Sequence, residues 1–78
     1  MSDRELKDLS NMLSDAYLRS EEEFESEYEK VCPKISNARE GYIIGKLCNL
    51  YCEIKTGAIS KEIGTQRQTD IFAEAATI

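Results

Sequence analysis

Apolar positions crowd most densely into Ala38 to Thr56, AREGYIIGKLCNLYCEIKT, where nine of the thirteen positions from Tyr42 to Ile54 are apolar. Residues 43, 47, 50 and 54 share one helical line, and 44, 48 and 51 share the line beside it. The spacing predicts a helix over 37–56 with an apolar face wider than a single neighbouring helix covers. Asn37 with Glu40 forms a capping box, and Ile35 stands before it as a hydrophobic staple. Gly57 suits the left-handed position just past the end, with Lys55 in the favourable last turn.

The N-terminal pattern reads as one long helix over 2–32. Leu6, Leu9, Leu13, Tyr17, Ser20, Phe24, Tyr28 and Val31 recur at spacings of 3, 4, 4, 3, 4, 4 and 3, an eleven-residue period. Such a stripe runs nearly straight, which suits extended pairing of the coiled-coil type without being a leucine zipper. Ser2 and Glu5 supply the capping box at its start, and Pro33 its stop. Because the link from Pro33 to Ser36 is short, the next helix is expected to double back.

The expected fold is therefore all-α: one domain over 1–78, built as an antiparallel helical hairpin with an optional short third C-terminal helix. That tail, 60–76, reads as a weak helix over Lys61–Ala75, with fraying after Thr65 as its competitor. In the hairpin register Phe24 stands level with Lys46 and Leu13 with Gly57, so Leu6 and Leu9 project past the shorter helix. Gly41 and Gly45, one turn apart, mark where close helix packing is expected, since a helix-interior glycine costs about 0.5–1 kcal/mol without such a contact.

Charge changes the picture at one place. The net charge is −5, but residues 1–32 hold four Lys/Arg against ten Asp/Glu, and residues 33–78 hold six against five. Six of the acids are the glutamates of positions 21–29. On one continuous helix, Glu21–Glu25, Glu23–Glu27 and Glu25–Glu29 are like-charge pairs that also approach the negative end of the dipole. They form either a solvated face or a patch that a basic partner relieves. No face carries the basic cluster that phosphate contacts require, which excludes direct nucleic-acid binding.

Candidate chemistry adds little. The chain has three cysteines and no histidine, so the commonest neutral-pH base is missing. Cys48 and Cys52 stand four apart on one helix face, about 5–6 Å between Cβ atoms and too far for a disulfide. No metal, cofactor or small-molecule substrate is expected, and no enzymatic activity. The longest apolar run, Tyr42 to Ile44, is far short of a membrane span, and the reduced cysteines and acidic N-terminus suit a cytoplasmic protein. LCNLYCEIKTGAISKEIG has the look of a helix–turn–helix repeat unit, but no second copy follows.

These features point to a small acidic helical protein–protein interaction module: an adaptor, co-chaperone or inhibitor that occupies a partner's surface. Leu6, Leu9, Leu13 and Tyr17 are its expected apolar anchors, with Tyr42 and Tyr51 as rigid interface area and Glu22, Glu25 and Glu29 as acidic contacts. The alternatives are a structural homodimer in which two hairpins form a four-helix bundle, or an acidic decoy of viral or phage type. Such a decoy blocks a basic nucleic-acid-binding surface on another protein.

Overall fold

The computed structural model describes residues 1–78 and contains four α-helices: α1 (Asp3–Arg19), α2 (Glu21–Val31), α3 (Ala38–Lys55) and α4 (Lys61–Ala75). A single 3-10 turn, Cys32–Lys34, follows α2, with Pro33 in its first positions. Three of the helix starts fall where the sequence places them. Ser2, Asn37 and Ser60 accept from the backbone N–H of Glu5, Glu40 and Ile63. The α3 end closes on Gly57 at φ 79°, with Ala58 N–H bonded to Glu53 O and Gly57 N–H to Ile54 O. That is a Schellman cap. The tail is helical to Ala75, so fraying after Thr65 does not occur.

The long first helix is broken. Ser20 leaves the α region at φ −169°, ψ 157°, its N–H still bonded to Ala16 O as the end of α1. Its side chain accepts from Glu23 N–H at 3.1 Å as the N-cap of α2. Ser20–Glu21–Glu22–Glu23 has the same Ser-x-x-Glu spacing that marks Ser2–Glu5 as a helix start. The break also changes the electrostatics of the first half of the glutamate run. Glu21, Glu22 and Glu23 occupy the first turn of a new helix, at the positive end of its dipole.

This break overturns the hairpin. The α2 helix leaves the C-terminal end of α1, and the turn after it reaches Ser36. Ser36 bonds the same Glu40 carboxylate that holds the Met1 ammonium, so α2 runs back along α1. Helix α3 then packs parallel to α1, not antiparallel. Asp3 pairs with Arg39 at one end, and Lys55 bonds Asn11 O and Asp15 at the other. Helix α4 lies antiparallel on the far side of α3. Its Arg67 pairs with Glu53, Gln68 bonds Tyr51 and Glu74 bonds Tyr42. The molecule is a four-helix bundle within one chain, neither a helical hairpin nor a coiled coil. Its backbone fills a slab of 30 × 29 × 16 Å.

The centre of the core is α3, whose Ile43, Ile44, Leu47 and Leu50 are buried with Leu6, Leu13, Val31, Ile71 and Ala75. The parallel register places Leu6 inside, so it does not project past a shorter partner. Ser10 and Ser14 are also fully buried, each hydroxyl donating to a carbonyl of its own helix, Leu6 O and Asn11 O. Their small size lets α1 and α3 approach, and the internal hydrogen bonds remove the cost of burying them. Glu40 is buried too. It accepts from Met1, Ser36 N–H and Ser36 Oγ–H, and these bonds hold its carboxyl down to about 2.

The close helix approach is not at Gly41 or Gly45. A Cβ on Gly41 would meet only Ile35 Cγ2 at 3.7 Å, and one on Gly45 would meet nothing within 4 Å. The tight position is Gly64 on α4, where a Cβ would fall 2.8 Å from Ile54 Cγ1 and closer still to Cδ1. The α4 helix passes there directly over the last turns of α3.

Candidate interaction cleft

Both α2 and α3 pack closely against α1, while their backbones stay apart from each other and only Val31 of α2 is buried in the core that α3 centres. Between them runs an apolar cleft of about 240 Å³. Leu13 and Tyr17 of α1 form its base. Phe24 and Tyr28, one turn apart, line the α2 wall, and Ile44, Gly45, Cys48, Asn49 and Cys52 line the α3 wall. The three rings hold one another in place. Tyr17 meets Phe24 edge-on at 5.6 Å, and Phe24 stacks on Tyr28 at 5.8 Å. Aromatic pairs of this kind contribute about 0.5–1.5 kcal/mol beyond burial. Even so, Tyr17 stays 51% exposed and Tyr28 41%.

The α2 helix beside the cleft is acidic. Glu23 is paired with Arg19 and Glu27 with Lys30. Glu21, Glu22, Glu25 and Glu29 are exposed and have no cation within ion-pair distance. On α2, Glu21 and Glu25 lie on the flank next to Tyr28, and Glu22 and Glu29 lie further round. All three like-charge i,i+4 pairs lie within α2, and in two of them, Glu21–Glu25 and Glu25–Glu29, neither member has a cation partner.

The α3 wall of the cleft carries two thiols, Cys48 and Cys52. Burial pushes Cys48 up to about 11 and raises Cys52 as well. At neutral pH both are uncharged, which suits them to an apolar wall. All three cysteines are free, and no group of three or more Cys, Asp or Glu side chains is arranged to hold a metal ion. No helix is long and apolar enough to cross a membrane.

A second, larger cleft of about 370 Å³ lies between α3 and α4. It is lined mainly by Lys46, Asn49, Glu53, Arg67, Asp70 and Glu74, of which Arg67 and Glu53 pair with each other.

The residues expected to contact a partner are divided by the fold. Leu6 and Leu13 belong to the core, and Leu9 packs against it half-buried. Tyr42 and Tyr51 are half-buried and tied to α4. Tyr42 donates to Glu74 at 2.7 Å, which raises its phenol, and Tyr51 donates to Gln68 at 2.6 Å. Only Tyr17, Glu22, Glu25 and Glu29 remain at the surface; of the expected residues, Leu13, Tyr17 and Gly45 line the cleft and the three glutamates do not. Phe24, Tyr28 and Cys48 were not expected in a site. Their signal is Ser20: once it is read as a helix start, Phe24 and Tyr28 fall on a face that α1 only partly covers. Comparison with known protein families, curated proteins and solved structures gives no match.

Proposed function

We propose that this protein is an acidic helical interaction module that occupies a basic surface of another protein, as a decoy or inhibitor, with α2 as its contact face. One observation carries the reading. Four of the six glutamates on α2 have no cation within ion-pair distance, on a helix whose backbone comes close to α1 and to neither α3 nor α4. The repulsion among them is a standing cost of a few tenths of a kcal/mol per pair, which a basic partner removes. Such a face also steers a basic partner toward it. The same charge disfavours a homodimer through this surface, because two α2 faces would oppose like charge.

The test is capture of partners from the native cell at low and high salt, with the E22K/E25K/E29K variant beside the parent. The expected result is a basic protein held by the parent at low salt, released at high salt and absent from the variant. Retention that is indifferent to both salt and charge reversal overturns the reading. Sedimentation of the purified chain is the second arm: the module is expected near its own 8.9 kDa, and a stable dimer about twice that mass argues for self-assembly instead.

A further inference from the structure

We propose that the cleft between α2 and α3 is the seat for a basic amphipathic helix of the partner. That helix inserts a bulky apolar side chain over Leu13 and Tyr17 and sets its Lys or Arg residues against the glutamates of α2. The inference deepens the acidic-face reading and rests on it for the sign of the partner's charge. The shape of the site stands on separate observations.

The first is the architecture of the cleft. The backbones of α2 and α3 stay apart where both lie on α1, which leaves an apolar slot between them. Phe24 and Tyr28 on one wall, and Ile44 and Cys48 on the other, are each one turn apart, so the slot runs along both helix axes. At about 240 Å³ it exceeds the ~150 Å³ pocket that accepts a benzene ring in a protein core. An apolar face laid into a groove is a recurring way for a helix to bind.

The second observation is Gly45. It lies inside α3, where glycine costs helix stability, and nothing in the chain occupies the space its missing side chain leaves. The other helix-interior glycine with a packing reason, Gly64, is closely covered by Ile54. The exposed Gly45 backbone lets a docked helix come nearer to α3 than any side chain would permit.

The third is charge. Helical spacing sets Glu21 and Glu25 beside Tyr28, outside the slot lining and in no ion pair, and the facing α3 wall is neutral through Gly45, Cys48, Asn49 and Cys52. A helix with an apolar stripe and cations on the side facing α2 satisfies both walls. A second copy of this chain does not, since its own α2 would bring glutamates to the same side.

The probe is a synthetic helical peptide of Leu and Lys at amphipathic spacing, titrated into the full chain beside a scrambled peptide of equal composition. The amphipathic peptide is expected to bind about tenfold tighter than the scrambled one, the scale of one buried apolar side chain. Gly45→Leu fills the slot with the chain's own atoms. It should weaken binding of the amphipathic peptide by about tenfold or more while the melting temperature holds or rises. The E21K/E25K variant should weaken both peptides and flatten their salt dependence. If the scrambled peptide binds equally well, or Gly45→Leu leaves affinity unchanged in a folded protein, the cleft is not the seat, although the acidic face stands. If Gly45→Leu abolishes binding but charge reversal does nothing, the acidic reading and the basic helix both fail. If the parent sediments as a dimer that Gly45→Leu dissociates, the occupant is a second copy and the proposal is overturned.

Discussion

The two sides of α1 show what this small chain does with its limited apolar surface. Toward α3 the seam is closed: Leu6, Leu13, Ile43 and Leu47 are almost wholly buried, and Ser10 and Ser14 turn their hydroxyls onto their own helix. Its ends are pinned by Met1 on Glu40 and by Lys55 on Asp15. Toward α2 the seam is half open, with Tyr17 and Tyr28 exposed over a cleft and four glutamates lacking a cation. One side satisfies its groups within the chain. The other leaves both apolar and charged groups for something else to satisfy, which is where binding free energy is available.

The largest expected contrast is between Leu6 and Tyr17, both on α1. Leu6→Ala opens a cavity in the closed seam and should cost about 2–5 kcal/mol, enough to unfold much of a domain this small. Tyr17→Ala removes an exposed ring and its edge contact with Phe24 and should cost only about 1 kcal/mol. Urea denaturation of the two variants checks this, and similar costs would mean that the cleft is part of the core.

The glycines sharpen the comparison next. Gly64→Ala forces a Cβ into the Ile54 side chain and should destabilise by about 1–3 kcal/mol. Gly45→Ala enters open space in a helix interior and should stabilise by about 0.5–1 kcal/mol. Opposite signs in thermal melts are the expected outcome. Ser20→Ala removes the cap on which α2 starts and should cost about 1 kcal/mol. Amide exchange should show that loss concentrated in Glu21–Val31, with α3 little changed.

The narrowest effect is confined to acid. Glu40 is held at about 2 in the fold, against an ordinary value of 4.5, so the stability it contributes is complete above 4.5. That contribution is lost as the pH falls through 4.5 toward about 2. The Met1 ammonium is shifted the other way, above its ordinary 8.0. Its share is therefore complete below 8.0 and lost as pH rises through the raised value. Urea midpoints measured against pH should show a plateau between these limits, and Glu40→Gln should remove this contribution to the acid limb.

Local signals made much of the fold legible. Asn37–Glu40, Pro33 and Gly57 mark boundaries because capping geometry and backbone restriction act within a few residues. The density of apolar residues in Tyr42–Ile54 was enough to place α3 at the centre. Ser20–Glu23 carried an equally good start signal, but the apolar stripe passes through it without interruption. An eleven-residue period describes one long helix and two helices folded face to face equally well. Leu6, Leu13, Phe24 and Val31 point inward in either case, so the break changes their neighbours and not their pattern.

What the sequence by itself determined is the helical class, most helix ends, the central helix and the location of the acidic charge, all of which follow from local chemistry. Tertiary structure alone decided the direction of α3 against α1, the burial of Ser10 and Ser14, and the close approach at Gly64 in place of Gly45. It also decided the cleft. Those features depend on which surfaces meet after the chain turns at Ser20 and again at Gly57, and helical periodicity records that a face is apolar without recording what covers it.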